Sequence, residues 1–119
     1  MPFQARDFLD GVDLRELALR TLGMSVSEYV ELFRGSAMKR AKLAGLKRNA
    51  SLVLGNTGTA DDVPSISKAW VDGEPMLRGH LAWALGRIAS PEARAFLEAR
   101  LEDERDPTVI DEVKSALRT

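Results

Sequence analysis

No cysteine occurs anywhere in the 119 residues. Disulfides, thiolate zinc sites, cysteine-held iron–sulfur clusters and a cysteine nucleophile are therefore chemically closed to this chain, and a reducing compartment suits it. Histidine occurs once, as His80. One imidazole without a thiolate holds a transition metal only if carboxylates converge on it, and no spacing here arranges that, so no metal ligand is expected. Long apolar runs are missing too. No stretch approaches the roughly 20 residues that cross a bilayer, and Met1 to Asp7 lacks the continuous apolar core of a signal peptide. A cytoplasmic protein without membrane association is expected. No phosphate loop, dinucleotide fingerprint or Ser-His-Asp arrangement is present, so the chain by itself is not expected to be an enzyme.

Acidic residues are missing from one long stretch. The formal net charge is -1, yet between Arg34 and Ala60 there are six basic residues and no Asp or Glu: Arg34, Lys39, Arg40, Lys42, Lys47 and Arg48. A run of like charge is often only a solvated helix face. Six cations without a counter-charge repel one another unless an anion is near, and a phosphate backbone is the usual anion to match them. Ser36, Asn49 and Ser51 add hydrogen-bond donors of the kind used on phosphate and sugar.

What is present is helical punctuation. Apolar residues recur at three and four rather than two, which reads as helix throughout. Val12 to Leu22 forms one run, with Asp10 or Asp13 to cap it and Gly23 to end it. Ser25 followed by Glu28 has the capping-box spacing. Ser36 can cap a third run carrying Met38 and Ala41, Gly45 is expected to break it, and a fourth follows from Leu46 to Gly55. Asn56-Thr57-Gly58 reads as a turn. Asp61 or Asp62, Pro75, Ser90-Pro91 and Asp106-Pro107 then open four helices, proline being at home where a helix N–H would lack a partner anyway. The triad Glu102-Asp103-Glu104 reads as a solvated connection.

Internal similarity is the strongest signal. Leu46, Ala50, Leu54 and Gly55 return 31 residues later as Leu77, Leu81, Leu85 and Gly86, and the apolar trio returns again as Val109, Val113 and Leu117. Ile66 and Trp70 are matched by Leu97 and Leu101. A period near 31 with two short helices per unit predicts an all-α fold, a short α-solenoid of HEAT-like hairpins over 36–119 behind N-terminal helices in 1–35, forming a single helical domain. His80 suits either a half-buried structural imidazole or a surface contact beside Trp83.

The segments Gly35-Ser-Ala-Met-Lys-Arg40 and Gly45-Leu-Lys-Arg-Asn-Ala-Ser-Leu-Val-Leu-Gly-Asn56, followed by His80-Leu-Ala-Trp-Ala-Leu-Gly86, resemble the C-terminal region of epoxyqueuosine reductases, and the likeness runs from Phe8 onward. The resemblance implies a HEAT-like module that helps hold a tRNA anticodon stem-loop. It implies that Lys39, Arg40, Lys47, Arg48 and Asn49 contact RNA or frame the site, with Arg34 and Lys42 beside them and Arg78 and His80 as secondary contacts. The family's cobalamin and two [4Fe-4S] clusters would bind domains absent from this sequence, so no cofactor is expected in this chain. The reductase activity is not carried over. The chain is then a fragment, the partner of a separate catalytic subunit, or a stand-alone relative, and an exposed Phe3 or Phe8 would mark association with a catalytic domain. The competing reading is a HEAT-repeat scaffold for protein partners. HEAT-like bilin lyases share repeats of this length, and only Trp70, Trp83 and His80 would serve a tetrapyrrole.

Overall fold

The computed structural model describes residues 14–32 and 40–118. They form seven α-helices: α1 (Leu14–Gly23), α2 (Val26–Leu32), α3 (Arg40–Thr57), α4 (Val63–Asp72), α5 (Pro75–Ile88), α6 (Pro91–Asp103) and α7 (Pro107–Leu117), with a 3₁₀ turn at Ala60–Asp62 and no strand among the described residues.

The starts are built as the sequence predicts. At α2 the Glu28 amide donates to Ser25 Oγ at 3.0 Å while the Ser25 amide donates to Glu28 Oε1 at 2.9 Å, the reciprocal capping box. Ser90 Oγ accepts from the Ala93 amide at 3.0 Å, and Asp106 Oδ1 accepts from Thr108 and Val109 at 2.9 and 3.2 Å. Pro75, Pro91 and Pro107 each take the first helical position.

Three expectations are corrected. Gly45 does not break a helix: α3 runs through it for 18 residues. A single interior glycine costs a helix only about 1 kcal/mol relative to alanine, less than the packing of Leu43, Ala50 and Leu54 returns. Asn56 and Thr57 belong to this helix, and the chain turns only at Gly58. Neither Asp61 nor Asp62 caps α4 with its side chain. Thr59 instead caps the 3₁₀ turn, and Asp62 is buried, its Oδ2 accepting from the Thr59 amide at 3.0 Å and from Arg15 Nε at 2.7 Å. This pair docks α1 onto the turn before α4.

The helices α1, α3, α5 and α7 pack each against the next in one row, while α4 and α6 form a second row against them. The α4–α5 and α6–α7 hairpins are the repeating units, and the array measures 45 × 28 × 20 Å. Leu54, Ile66, Leu81, Leu85, Val109 and Val113 are completely buried between the rows, each contributing about 1.5–3 kcal/mol by leaving water. The recurring glycines have a reason that periodicity alone does not reveal. A methyl on Gly55 would overlap the Trp83 ring, and one on Gly86 would stand 2.7 Å from Ala116 Cβ. Each glycine sits where neighbouring helices of the row cross closely. Trp70 is buried and meets Phe96 edge to face with centroids 5.4 Å apart, a core packing role.

Consecutive hairpins are also tied by charge. Arg78, in the first turn of α5, donates from Nε and Nη2 to the two carboxylate oxygens of Glu104 at 2.9 and 2.8 Å and from Nη1 to the Gly73 carbonyl at 2.7 Å. Glu104 also accepts from the Arg105 and Asp106 amides at 3.2 Å. The acidic triad read as a solvated loop therefore contains a buried brace, because one of its carboxylates meets a guanidinium from the preceding repeat.

Candidate nucleic-acid interface

The basic stretch lies on and just before α3. Arg34, Ser36 and Lys39 fall outside the described residues, as do Phe3 and Phe8, and Arg40 is described only as the backbone that opens α3. Lys42, Arg48 and Asn49 are exposed on α3, and Lys47 is half-buried. At 3.6 residues per turn, Lys42 and Lys47 are about 140° apart around the helix and Lys47 and Arg48 about 100°. The three cations point in three directions rather than forming one patch.

Lys47 and Arg48 border a groove of about 790 Å³ between α3 and the α4–α5 turn, floored by Leu43 and closed on the far side by Asp72, Glu74 and His80. The stretch that is free of acid in sequence thus faces acid in space. Burial lowers the Lys47 ammonium below the ordinary lysine range, while Asp72 and Glu28 pull it back up. Glu28 is in turn held below the usual carboxylate range, chiefly by the hydrogen bonds of its Ser25 cap and also by Lys47 and Lys68. The charge of Lys47 is partly answered inside the fold. Arg48 makes no ion pair among the described residues.

Other candidates are placed plainly by their partners. Ser51 is completely buried and donates to the Lys47 carbonyl at 3.0 Å, so its hydroxyl is not offered to phosphate. Arg78 spends three of its N–H groups on Glu104 and the Gly73 carbonyl, so its guanidinium serves as a brace between repeats. His80 stands half-buried at the edge of the groove. Periodicity missed Arg87, an exposed arginine one turn after Trp83 whose guanidinium lies 5.8 Å from that ring's centroid and whose Nη2 reaches Asn56 Oδ1 at 3.5 Å. Its signal was available, since Gly86-Arg87 stands 31 residues after Gly55-Asn56. No group of three or more His, Asp or Glu among the described residues converges as a metal site, and no described helix is long and apolar enough to cross a membrane.

A family model for HEAT repeats matches residues 33–118. Among curated proteins, the epoxyqueuosine reductase of Staphylococcus aureus is 32% identical over 99 residues, covering 82% of this chain and 26% of its own length. That of Bacillus subtilis is 30% identical over 97 residues, covering 81% and 25%, and that of Bacillus cereus is 36% identical over 73 residues, covering 60% and 19%. The similarity lies in the C-terminal portion of the reductases, and the chain spans about a quarter or less of their length. No solved structure matches significantly.

Proposed function

The chain belongs to the HEAT-repeat family, and from that premise we propose that it is a tRNA-binding module that holds an anticodon stem-loop and performs no chemistry of its own. The observation that carries the reading is the similarity to epoxyqueuosine reductases over most of this chain, which includes the basic segment 39–49. The catalytic work of such a reductase belongs to a portion of the protein outside this segment, acting as a neighbouring domain or a separate subunit. Lys42, Arg48 and Asn49 are the exposed contacts on α3, and Arg34, Lys39 and Arg40 extend the same charge toward its N-terminus. Lys47 and His80 frame the groove from its inner side.

The test is fluorescence anisotropy of a labelled tRNA anticodon stem-loop titrated with the chain at several salt concentrations. Four phosphate contacts, from Lys39, Arg40, Lys42 and Arg48, give log K against log salt a slope of about -3, because each neutralised phosphate releases condensed counterions. A Lys42→Glu/Arg48→Glu variant, checked for unchanged helicity, loses binding. Stem-loop affinity that ignores salt, or that survives in this variant, removes the reading.

A scaffold for protein partners is the second reading, favoured by Val71 and Met76, which flank the α4–α5 turn 73% and 71% exposed. Its mark is a complex stable at moderate salt that Val71→Ser/Met76→Ser abolishes.

A further inference from the structure

Of the two glycines inside α3, Gly55 is required by the Trp83 ring, whereas a methyl on Gly45 would meet nothing within 4 Å. An interior glycine costs a helix about 1 kcal/mol against alanine, and no neighbouring helix uses the missing side chain. What lies over Gly45 is the groove of about 790 Å³, and Gly45 forms part of its α3 wall. The backbone of α3 is left bare where a bound molecule can approach it closely.

The walls of this groove carry opposite charge. Lys47 and Arg48 stand on α3, and Asp72 and Glu74 face them from the α4–α5 turn, yet no two of the four form an ion pair among the described residues. Local structure does not explain the acids. Asp72 ends α4, where the helix dipole disfavours negative charge, and Glu74 takes the N-cap place of α5 without its side chain capping anything. Between the walls Leu43 and Leu77 give an apolar surface, with Met76 exposed beside them. A molecule that fills the groove therefore needs an anionic end, an apolar body and hydrogen-bond donors at its other end.

A nucleotide has those three parts in that order. We infer that the groove holds one unpaired nucleotide of the RNA, its phosphate at Lys47 and Arg48, its base over Leu43, Met76 and Leu77, and its Watson–Crick edge donating to Asp72 and Glu74. The inference rests on the RNA reading above and names what the groove recognises. Only a base from an unpaired loop can be splayed out to reach it, and His80 at the edge offers an imidazole face to stack on. Carboxylates accept and do not donate, so the edge that fits is rich in N–H groups. Guanine presents a ring N–H and an amino group side by side. Uracil has a single N–H between two carbonyls, which the acids repel. The groove thus prefers guanosine to uridine.

The experiment uses the whole isotope-labelled chain and follows the Gly45 and Gly73 amides by NMR as guanosine monophosphate, uridine monophosphate or the anticodon stem-loop is added. Guanosine monophosphate shifts both amides and binds about 5-fold or more tightly than uridine monophosphate, as one good carboxylate pairing allows. The stem-loop shifts the same amides and displaces the nucleotide. In Asp72→Asn/Glu74→Gln, two exposed positions, the preference disappears, because amides also donate to uracil carbonyls. Gly45→Leu, a better helix former, fills the groove, and guanosine monophosphate then leaves the Gly73 amide unmoved. Stem-loop binding without a guanosine preference, or with one that survives in Asp72→Asn/Glu74→Gln, overturns the pocket and leaves the RNA reading standing. Nucleotide binding that the stem-loop does not displace marks a site for free nucleotides and overturns its assignment to RNA. Absence of stem-loop binding even at low salt overturns the RNA reading, and the pocket with it.

Discussion

Glu104→Ala tests whether the solenoid is held by its connections as well as by its core. The Glu104 side chain is 5% exposed and Arg78 21%, and the carboxylate accepts two guanidinium N–H groups and two backbone amides. Truncation leaves the guanidinium bound only to the Gly73 carbonyl and both amides without their acceptor. Removing one partner of a buried ion pair costs about 3–5 kcal/mol. Because Arg78 retains some contact with water, about 2–4 kcal/mol is expected here. With a urea m-value of about 1.5 kcal/mol/M, the midpoint falls by about 1.3–2.7 M, and the double variant with Arg78→Ala is less destabilised than the sum of the two singles. A pH arm isolates the carboxylate. Arg78 holds Glu104 below the ordinary glutamate range, assisted by the Asp106 and Arg105 amides. In mildly acidic solution the unfolded chain thus binds a proton that the folded chain refuses, so stability rises with pH. The contribution is complete above the unfolded value of about 4.3 and is lost as pH falls through the depressed folded value. Glu104→Gln therefore has a flatter stability curve below about pH 5 than the wild type. A loss under 0.5 kcal/mol in Glu104→Ala, or an equally steep acid limb in Glu104→Gln, refutes the brace.

Glycine gives a paired test in one helix, read by denaturant midpoint. Gly45→Ala meets nothing within 4 Å and stabilises by about 0.5–1 kcal/mol through helix propensity, whereas Gly55→Ala overlaps Trp83 and destabilises by about 1–3 kcal/mol. Ala89, at φ 55° after α5, holds a left-handed cap that glycine adopts freely, so Ala89→Gly stabilises by about 0.5–1 kcal/mol, read as a raised thermal midpoint. Leu54→Ala and Leu85→Ala, both at fully buried positions, each lose about 2–5 kcal/mol in the same urea assay.

Much of this architecture can be read from the sequence because short helices announce themselves chemically. Ser25, Ser90 and Asp106 are caps by residue type and spacing, the prolines mark first turns, and a 31-residue period forces Leu54 and Leu85 into equivalent core places. What escaped was decided by partners far along the chain. Gly45 and Gly55 look alike in sequence, yet one faces open space and the other an indole. Asp62 and Glu104 read as a cap and a loop acid, and only the stacking of repeats brings Arg15 and Arg78 to them. Capping and periodicity are local, whereas these contacts depend on how the hairpins are set against one another.

The same distinction governs the functional surface. Adjacent charges in a helical sequence separate by about 100° per residue, so Lys42, Lys47 and Arg48 fan out around α3 rather than lining a single face. Charges one repeat apart do the opposite, because equivalent positions of packed hairpins come within about 10 Å. In a solenoid the cations that act together are found by stepping at the repeat length rather than by scanning a window. Stepping from Asn56 by 31 leads to Arg87. Stepping from Lys47 leads to Arg78, which its carboxylate has already claimed. Moving the positive charge from residue 87 to residue 56, as Asn56→Arg/Arg87→Asn, keeps the number of cations on this edge. It therefore leaves the salt slope of stem-loop binding nearly unchanged while removing the cation over Trp83. A slope that falls by a full phosphate contact in this exchange variant means that position 87 is read individually rather than as one rung of a ladder.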